Sequence, residues 1–279
     1  VMDRLDAFKT IAAQASRGEL TFPANVNASL RLQQALNDPD CHVEQAARLI
    51  QADPLLAARS VAIANSVAYN RSGTEISSVR AAVQRLGIRT LQSLVAALIV
   101  RQIGAQITDP GLQAKVTQLW EHTAHVAALA HVIARRVTHV DPDTALFAGI
   151  VHEVAGFYML ASAGEFPQVM EGAPEDWIEH GEITIGRGVM AHLCVPAAVV
   201  HAIEAMWGGL RALPPETLGD TLLLADDLAP VASPLHQRPG ATTLQAARTI
   251  DCVIGDGTLH AIMTESAHEV QSLYAVLML

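Results

Sequence analysis

Twenty consecutive residues, Thr144 to Ala163, contain one formally charged side chain, Glu153, preceded by His152. A helix apolar all round is buried on every side. The segment is long enough to span a bilayer but would place His152 and Glu153 at its centre, and the apolar run Leu91 to Val100 is too short to span one. Both are therefore read as core helices of a soluble protein. A carboxylate in such a helix costs several kcal/mol when isolated, a large part of a domain's stability margin. Glu153 must then hydrogen-bond a histidine, an arginine or the backbone, bind a divalent metal, or keep its proton.

The rest of the chain supports a core of that kind. Among 279 residues, 51% are hydrophobic and only 4% aromatic, and Ala, Leu, Val and Ile recur at spacings of three and four. This pattern predicts an all-α, multi-helical bundle with almost no strand. Pro at a first helical position loses no hydrogen bond, so Asp53-Pro54, Asp109-Pro110, Asp141-Pro142 and Val195-Pro196 mark helix starts. Helices are expected near Asn25 to Leu36, Val43 to Gln51, Pro54 to Asn65, Val79 to Leu86 and Thr90 to Ile103, with Gly87 as a C-cap. Longer ones follow at Leu112 to Thr138, Pro142 to Ala163, Glu182 to Leu193 and Pro196 to Trp207. From Thr217 to Leu279 come further helices, interrupted by a loop from Pro230 to Gly240.

Charge and cysteine usage narrow the function. Eighteen Lys and Arg against 28 Asp and Glu give a net charge of -10, which repels a phosphate backbone. The series Arg80, Arg85, Arg89 and Arg101 around Gly87 superficially suggests a helix-turn-helix, but a solvated face is expected and nucleic acid is disfavoured. Cys41, Cys194 and Cys252 are far apart and odd in number, so a reducing cytoplasm fits better than a disulfide framework. The N-terminus lacks the basic and apolar pattern of a secretory signal.

Four residues are candidates for a polar centre. His122 is followed by Val126, Leu129 and Ile133 at helical spacing, so it faces the core. His152 and Glu153 lie in the apolar segment, and Asp226 interrupts an apolar run, either reaching the same pocket or facing a loop. His125 lies off the His122 face and His131 opposite it, while His42, His139, His180 and His236 sit near loops; all six are expected at the solvated surface. No phosphate-binding loop or nucleophile elbow is present, and His180-Gly181-Glu182 is too isolated to count.

The stretches Leu36-Asn37-Asp38-Pro39-Asp40, Leu49 to Arg59, Ala64-Asn65-Ser66, Ile76-Ser77-Ser78-Val79 and Leu86 to Leu91 resemble, in order, the opening of HDOD domains. Trp120, His122, His152, Gly186, Val195-Pro196 and Ile203 continue the resemblance, which covers about Leu20 to Trp207. It implies an HDOD domain over 15–211, divided into an N-terminal helical part (15–111) and an HD-like part (112–211), with a C-terminal helical extension (212–279) packed on it. HDOD domains are related to HD metal-dependent phosphohydrolases, whose metal ligands carry over onto His122, His152, Glu153 and Asp226. Glu153 stands where that family has Asp, and its extra methylene displaces the carboxylate, which points to a vestigial site. Glu182, Met206 and Trp207 occupy positions that carry His in two-metal relatives, and the downstream Gly-Tyr-Pro signature is absent. The resemblance implies a non-catalytic regulatory module of bacterial signal transduction that acts on signalling proteins, with no cofactor beyond a single divalent metal. The alternative is a mononuclear metal-dependent phosphohydrolase. A partner is expected against Leu30 to Leu36, or against Arg59 and Asn65, Asn65 being alternatively a helix C-cap.

Overall fold

A computed structural model describes residues 3–172, 174–209, 212, 214–236, 242–254 and 257–279, and among these no strand occurs. In chain order the helices are α1 (Arg4–Ser16), α2 (Ala24–Asn37), α3 (Val43–Gln51), α4 (Pro54–Ala64), α5 (Val79–Gly104), α6 (Pro110–Ile133) and α7 (Pro142–Val151). They continue as α8 (Val154–Ser162), α9 (Pro174–Trp177), α10 (Ile183–His192), α11 (Ala197–Trp207), α12 (Leu218–Leu228), α13 (Thr243–Ile254) and α14 (Thr258–Met278). The fold is all-α, as the spacing of apolar residues predicts. Residues 237–240 of the expected Pro230 to Gly240 loop, and the expected boundary at 211, lie outside the described residues.

Local chemistry sets the helix starts. Asp53 accepts from the backbone N–H groups of Leu55 and Leu56, Asp109 from Leu112, and Asp141 from Thr144, each followed by Pro in the first turn. At the fourth pair the helix begins one residue later, with Pro196 in the cap position. Gly87 has φ +75° and breaks α5 into two segments, as a capping glycine should. Asn65 follows α4 and also clamps a loop: its side chain donates to the Ile76 carbonyl and accepts from the Ile76 N–H.

The bundle is organised around α6, which packs against α7, α12 and α14. Its contact with α7 is close enough that a Cβ on Gly149 would lie 2.6 Å from Ala127 Cα. The expected single helix from Pro142 to Ala163 is interrupted at His152 and Glu153, where the chain turns between α7 and α8. By length and composition, residues Val79–Gly104 and Pro142–Ser162 could each cross a membrane, yet most of each is buried inside the bundle.

Several surface expectations are corrected. His131 is buried and His125 half-buried, because α14 covers the outer side of α6. His125 stacks on Tyr274 with ring centroids 3.9 Å apart, and His131 lies between Asp143 and Glu269. His139 and His180 are exposed as expected, while His42 accepts from Gln45 N–H as the N-cap of α3. Of the residues named for a partner surface, Leu30, Leu36 and Arg59 are buried, while Arg31 and Gln34 are exposed and Asn65 half-buried. Of the arginine series, Arg80 pairs with Glu44, Arg89 with Asp141, and Arg85 donates to the carbonyls of Ala64 and Thr74.

Two predictions follow from the α6 contacts. Gly149→Ala must push backbone apart and should cost about 1–3 kcal/mol in denaturant unfolding, whereas Gly164→Ala, whose Cβ meets nothing within 4 Å, should be near neutral. Burial, and secondarily the charge on His122, lowers the His125 pKa to about 4. Between about pH 6.5 and pH 4 the unfolded chain therefore binds a proton that the folded chain refuses, and stability falls as pH drops through that window. Thermal melts across this range should show a shallower loss in His125→Phe, which keeps the stack but cannot titrate.

Candidate functional site

The interruption between α7 and α8 builds the polar centre. At the turn His152 Nδ1 approaches the Gly149 carbonyl to 2.7 Å, and a carbonyl can only accept, so Nδ1 carries the proton. Nε2 then presents its lone pair inward, and it is buried without a hydrogen-bond partner. The same logic fixes His122, whose Nδ1 lies 2.8 Å from the Val231 carbonyl while Nε2 lies 3.1 Å from Asp226 Oδ1. The two rings are 5.5 Å apart between centroids.

Glu153 completes the cluster: one ligand atom from each of His122, His152 and Glu153 lies within 4.8 Å of the others. Space for the carboxylate comes from Gly156, where a Cβ would stand 2.4 Å from Leu235 and 3.2 Å from Glu153 Oε2. The extra methylene of Glu relative to Asp has therefore not carried the carboxylate out of the cluster. Asp226, from α12, joins through His122.

Two further residues belong here. His236, expected at the solvated surface, lies between two carboxylates, with Nδ1 3.6 Å from Glu153 Oε1 and Nε2 3.3 Å from Glu182 Oε1. Burial opposes its charge, but the hydrogen bond to Glu182 and the charges of Glu153, Glu182 and Asp226 outweigh it and raise its pKa to about 9. Nothing in the local sequence marked His236, since a loop has no periodicity to show which way a side chain points. Glu182 is buried at the start of α10. Burial raises its pKa, against the pull of His236. Trp207 packs over Gly186.

Electrostatics divide the two central histidines. Burial lowers both, but at His122 the close Asp226 carboxylate, with the Glu153 charge, wins, so its pKa is raised. At His152 burial wins over Glu153, and the ring stays neutral. Two imidazoles with Nδ1 tied to backbone carbonyls and Nε2 facing a carboxylate form a donor set suited to one divalent cation. Ligands on a cation with bonds of about 2.1 Å stand at most about 4.2 Å apart, so a small closure of the cluster would seat it.

Comparison with known proteins places this geometry. Crystal structures of similar fold include a protein from Shewanella amazonensis SB2B, provisionally described as a metal-dependent phosphohydrolase, with TM-score 0.74 and 19% identity over 97% of this chain and 98% of that one. Another is an HDOD domain protein of unknown function from Geobacter sulfurreducens, with TM-score 0.63 and 20% identity over 98% of each chain. A third, from Marinobacter aquaeolei VT8, is provisionally described as a signal transduction protein, with TM-score 0.61 and 17% identity over all of this chain and 67% of that one. No curated protein matches the sequence. The HDOD domain profile matches residues 22–192, well over half of the sequence, and the chain belongs to the HDOD domain family.

Proposed function

We propose that this chain is a non-catalytic regulatory module of cytoplasmic signal transduction, acting by contact with signalling proteins rather than with nucleic acid or membrane. The observation that carries this reading is the closure of the polar centre. His122, His152 and Glu153 are each no more than 5% exposed. The segment after α12 covers them, with Val231 on His122, Leu235 against Gly156, and His236 between Glu153 and Glu182. A phosphoester needs an open ligand position beside the metal, and Val231, Leu235 and His236 crowd that approach, with Asp226 and His236 partly exposed at its rim. The engagement of Arg80, Arg85 and Arg89 by other groups supports the absence of a nucleic-acid face.

A single divalent cation at His122, His152 and Glu153, with Asp226 alongside, fits the donor set and would tie α6, the turn before α8 and α12 together. Bound there, it would act as a Lewis acid on whatever oxygen reached it. The chain's own residues set the conditions: His122 must offer the Nε2 lone pair on the side where Asp226 now lies, and Gly149 and Val231 hold the two rings in the required tautomer. The clustering of these donors favours the second reading, a mononuclear phosphohydrolase.

Chelator-stripped protein titrated with Mn²⁺ or Zn²⁺ should gain several degrees in Tm with release of protons, and His152→Ala should abolish the gain. A rise that persists in that variant would place the cation elsewhere. To separate the two functional readings, His122→Ala and Glu153→Gln should lower unfolding free energy by about 1–3 kcal/mol. The wild type should hydrolyse neither bis(p-nitrophenyl) phosphate nor nucleoside phosphates with any added cation. Metal-dependent turnover in the wild type, lost in both variants, would establish the phosphohydrolase.

A further inference from the structure

A cleft of about 440 Å³ opens beside α4, α5 and α6, away from the polar centre, and none of the four candidate ligands lines it. It is bordered by Arg59 from α4, Arg101 from α5 and Trp120 from α6, with apolar walls that include Leu98, Val116 and Phe157. Arg59 is 3% exposed and Trp120 5%. Arg59 Nε, Arg101 Nη1 and Trp120 Nε1 are all buried without a hydrogen-bond partner. The Arg101 guanidinium lies over the Trp120 ring, 5.6 Å from its centroid.

Among the described residues no side chain forms an ion pair with either guanidinium, although Met278 and Leu279 also line the cleft. Asp53 acts on Arg59 through its charge, while its Oδ1 caps α4 at Leu55 and Leu56. Each guanidinium is penalised by burial, and Arg59 further by the like charge of Arg101. An arginine cannot escape by losing its proton. A buried and a half-buried cation side by side, each with an unmet donor, therefore call for an anion from outside the chain.

We propose that this cleft binds a small organic phosphate, held by Arg59, Arg101 and the Trp120 N–H, with its apolar part against Leu98, Val116 and Phe157. A phosphate monoester carries up to two negative charges and three terminal oxygens, which suits two guanidiniums and an indole donor from three helices. A carboxylate offers one charge and two coplanar oxygens, which one arginine satisfies. The volume lies in the range of small-molecule sites, and the apolar walls favour an organic body over a bare ion. The proposal is independent of the metal centre.

The test is titration of the full chain with phenyl phosphate, followed by tryptophan fluorescence and Tm, with chelator present throughout to exclude phosphate held by a metal. Benzoate and inorganic phosphate are the comparison arms. Saturable binding of phenyl phosphate is expected, about tenfold or more tighter than either comparison anion, corresponding to about 1.4 kcal/mol. Arg101→Met, half-buried and tolerant of change, should weaken it at least tenfold while keeping the helical circular-dichroism spectrum. Arg59→Lys, which keeps the charge but loses the planar fork, should weaken it as well. The assignment is overturned by the absence of saturable binding, by equal binding of benzoate or inorganic phosphate, or by undiminished binding in folded Arg101→Met.

Discussion

The neutralisation of Glu153 inside an apolar bundle organises the middle of this protein. A carboxylate 4% exposed cannot keep its charge alone, and the chain meets that demand by drawing separate segments to one point. His122 comes from α6, His152 from the end of α7, Glu182 from the start of α10, Asp226 from α12 and His236 from the segment beyond it. The backbone yields as well: the apolar helix breaks at His152 and Glu153, and the Glu153 carbonyl then accepts from the N–H groups of Gly156 and Phe157 to start α8. Gly149 and Gly156 are needed where they are because one lets α7 lie against α6 and the other leaves room for the carboxylate.

Those parts of the fold that depend on local chemistry were legible in the sequence. The Asp-Pro pairs announce their helices because the cap and the fixed φ act within three residues, and the inward face of His122 follows from helical spacing alone. The grouping of His122, His152 and Glu153 was legible only through the family resemblance, and their ligand atoms do lie within 4.8 Å of one another. What the sequence hid is long-range. No periodicity assigns a loop residue to an interior, so His236 looked solvated, and His125 and His131 looked exposed because the helix that covers them, α14, lies more than a hundred residues away. The helix α1 was readable in principle, since Phe8, Ile11 and Ala15, all buried, recur at three and four. The break at His152 was not, because an unbroken helix satisfies the same apolar pattern.

The chain carries a net charge of -10, yet its two unusual interior clusters have opposite demands. At the polar centre the acids Glu153, Glu182 and Asp226 face His122 and His236 and raise the pKa of His236 to about 9, and Asp226 and Glu153 raise that of His122. At the arginine cleft no proton can leave and no described side chain forms an ion pair, so balance must come from an added anion. α6 carries both: Trp120 and His122 are two residues apart, which on a helix turns them to nearly opposite sides. Phe157, packed edge-on to Trp120, lies one helical turn beyond Glu153 on α8. Any shift of α6 against α8 therefore changes the Trp120 to Phe157 contact and the His122 to Glu153 separation together. Ligands that prefer one arrangement at one cluster must bias the other by the same free energy, because such coupling is reciprocal.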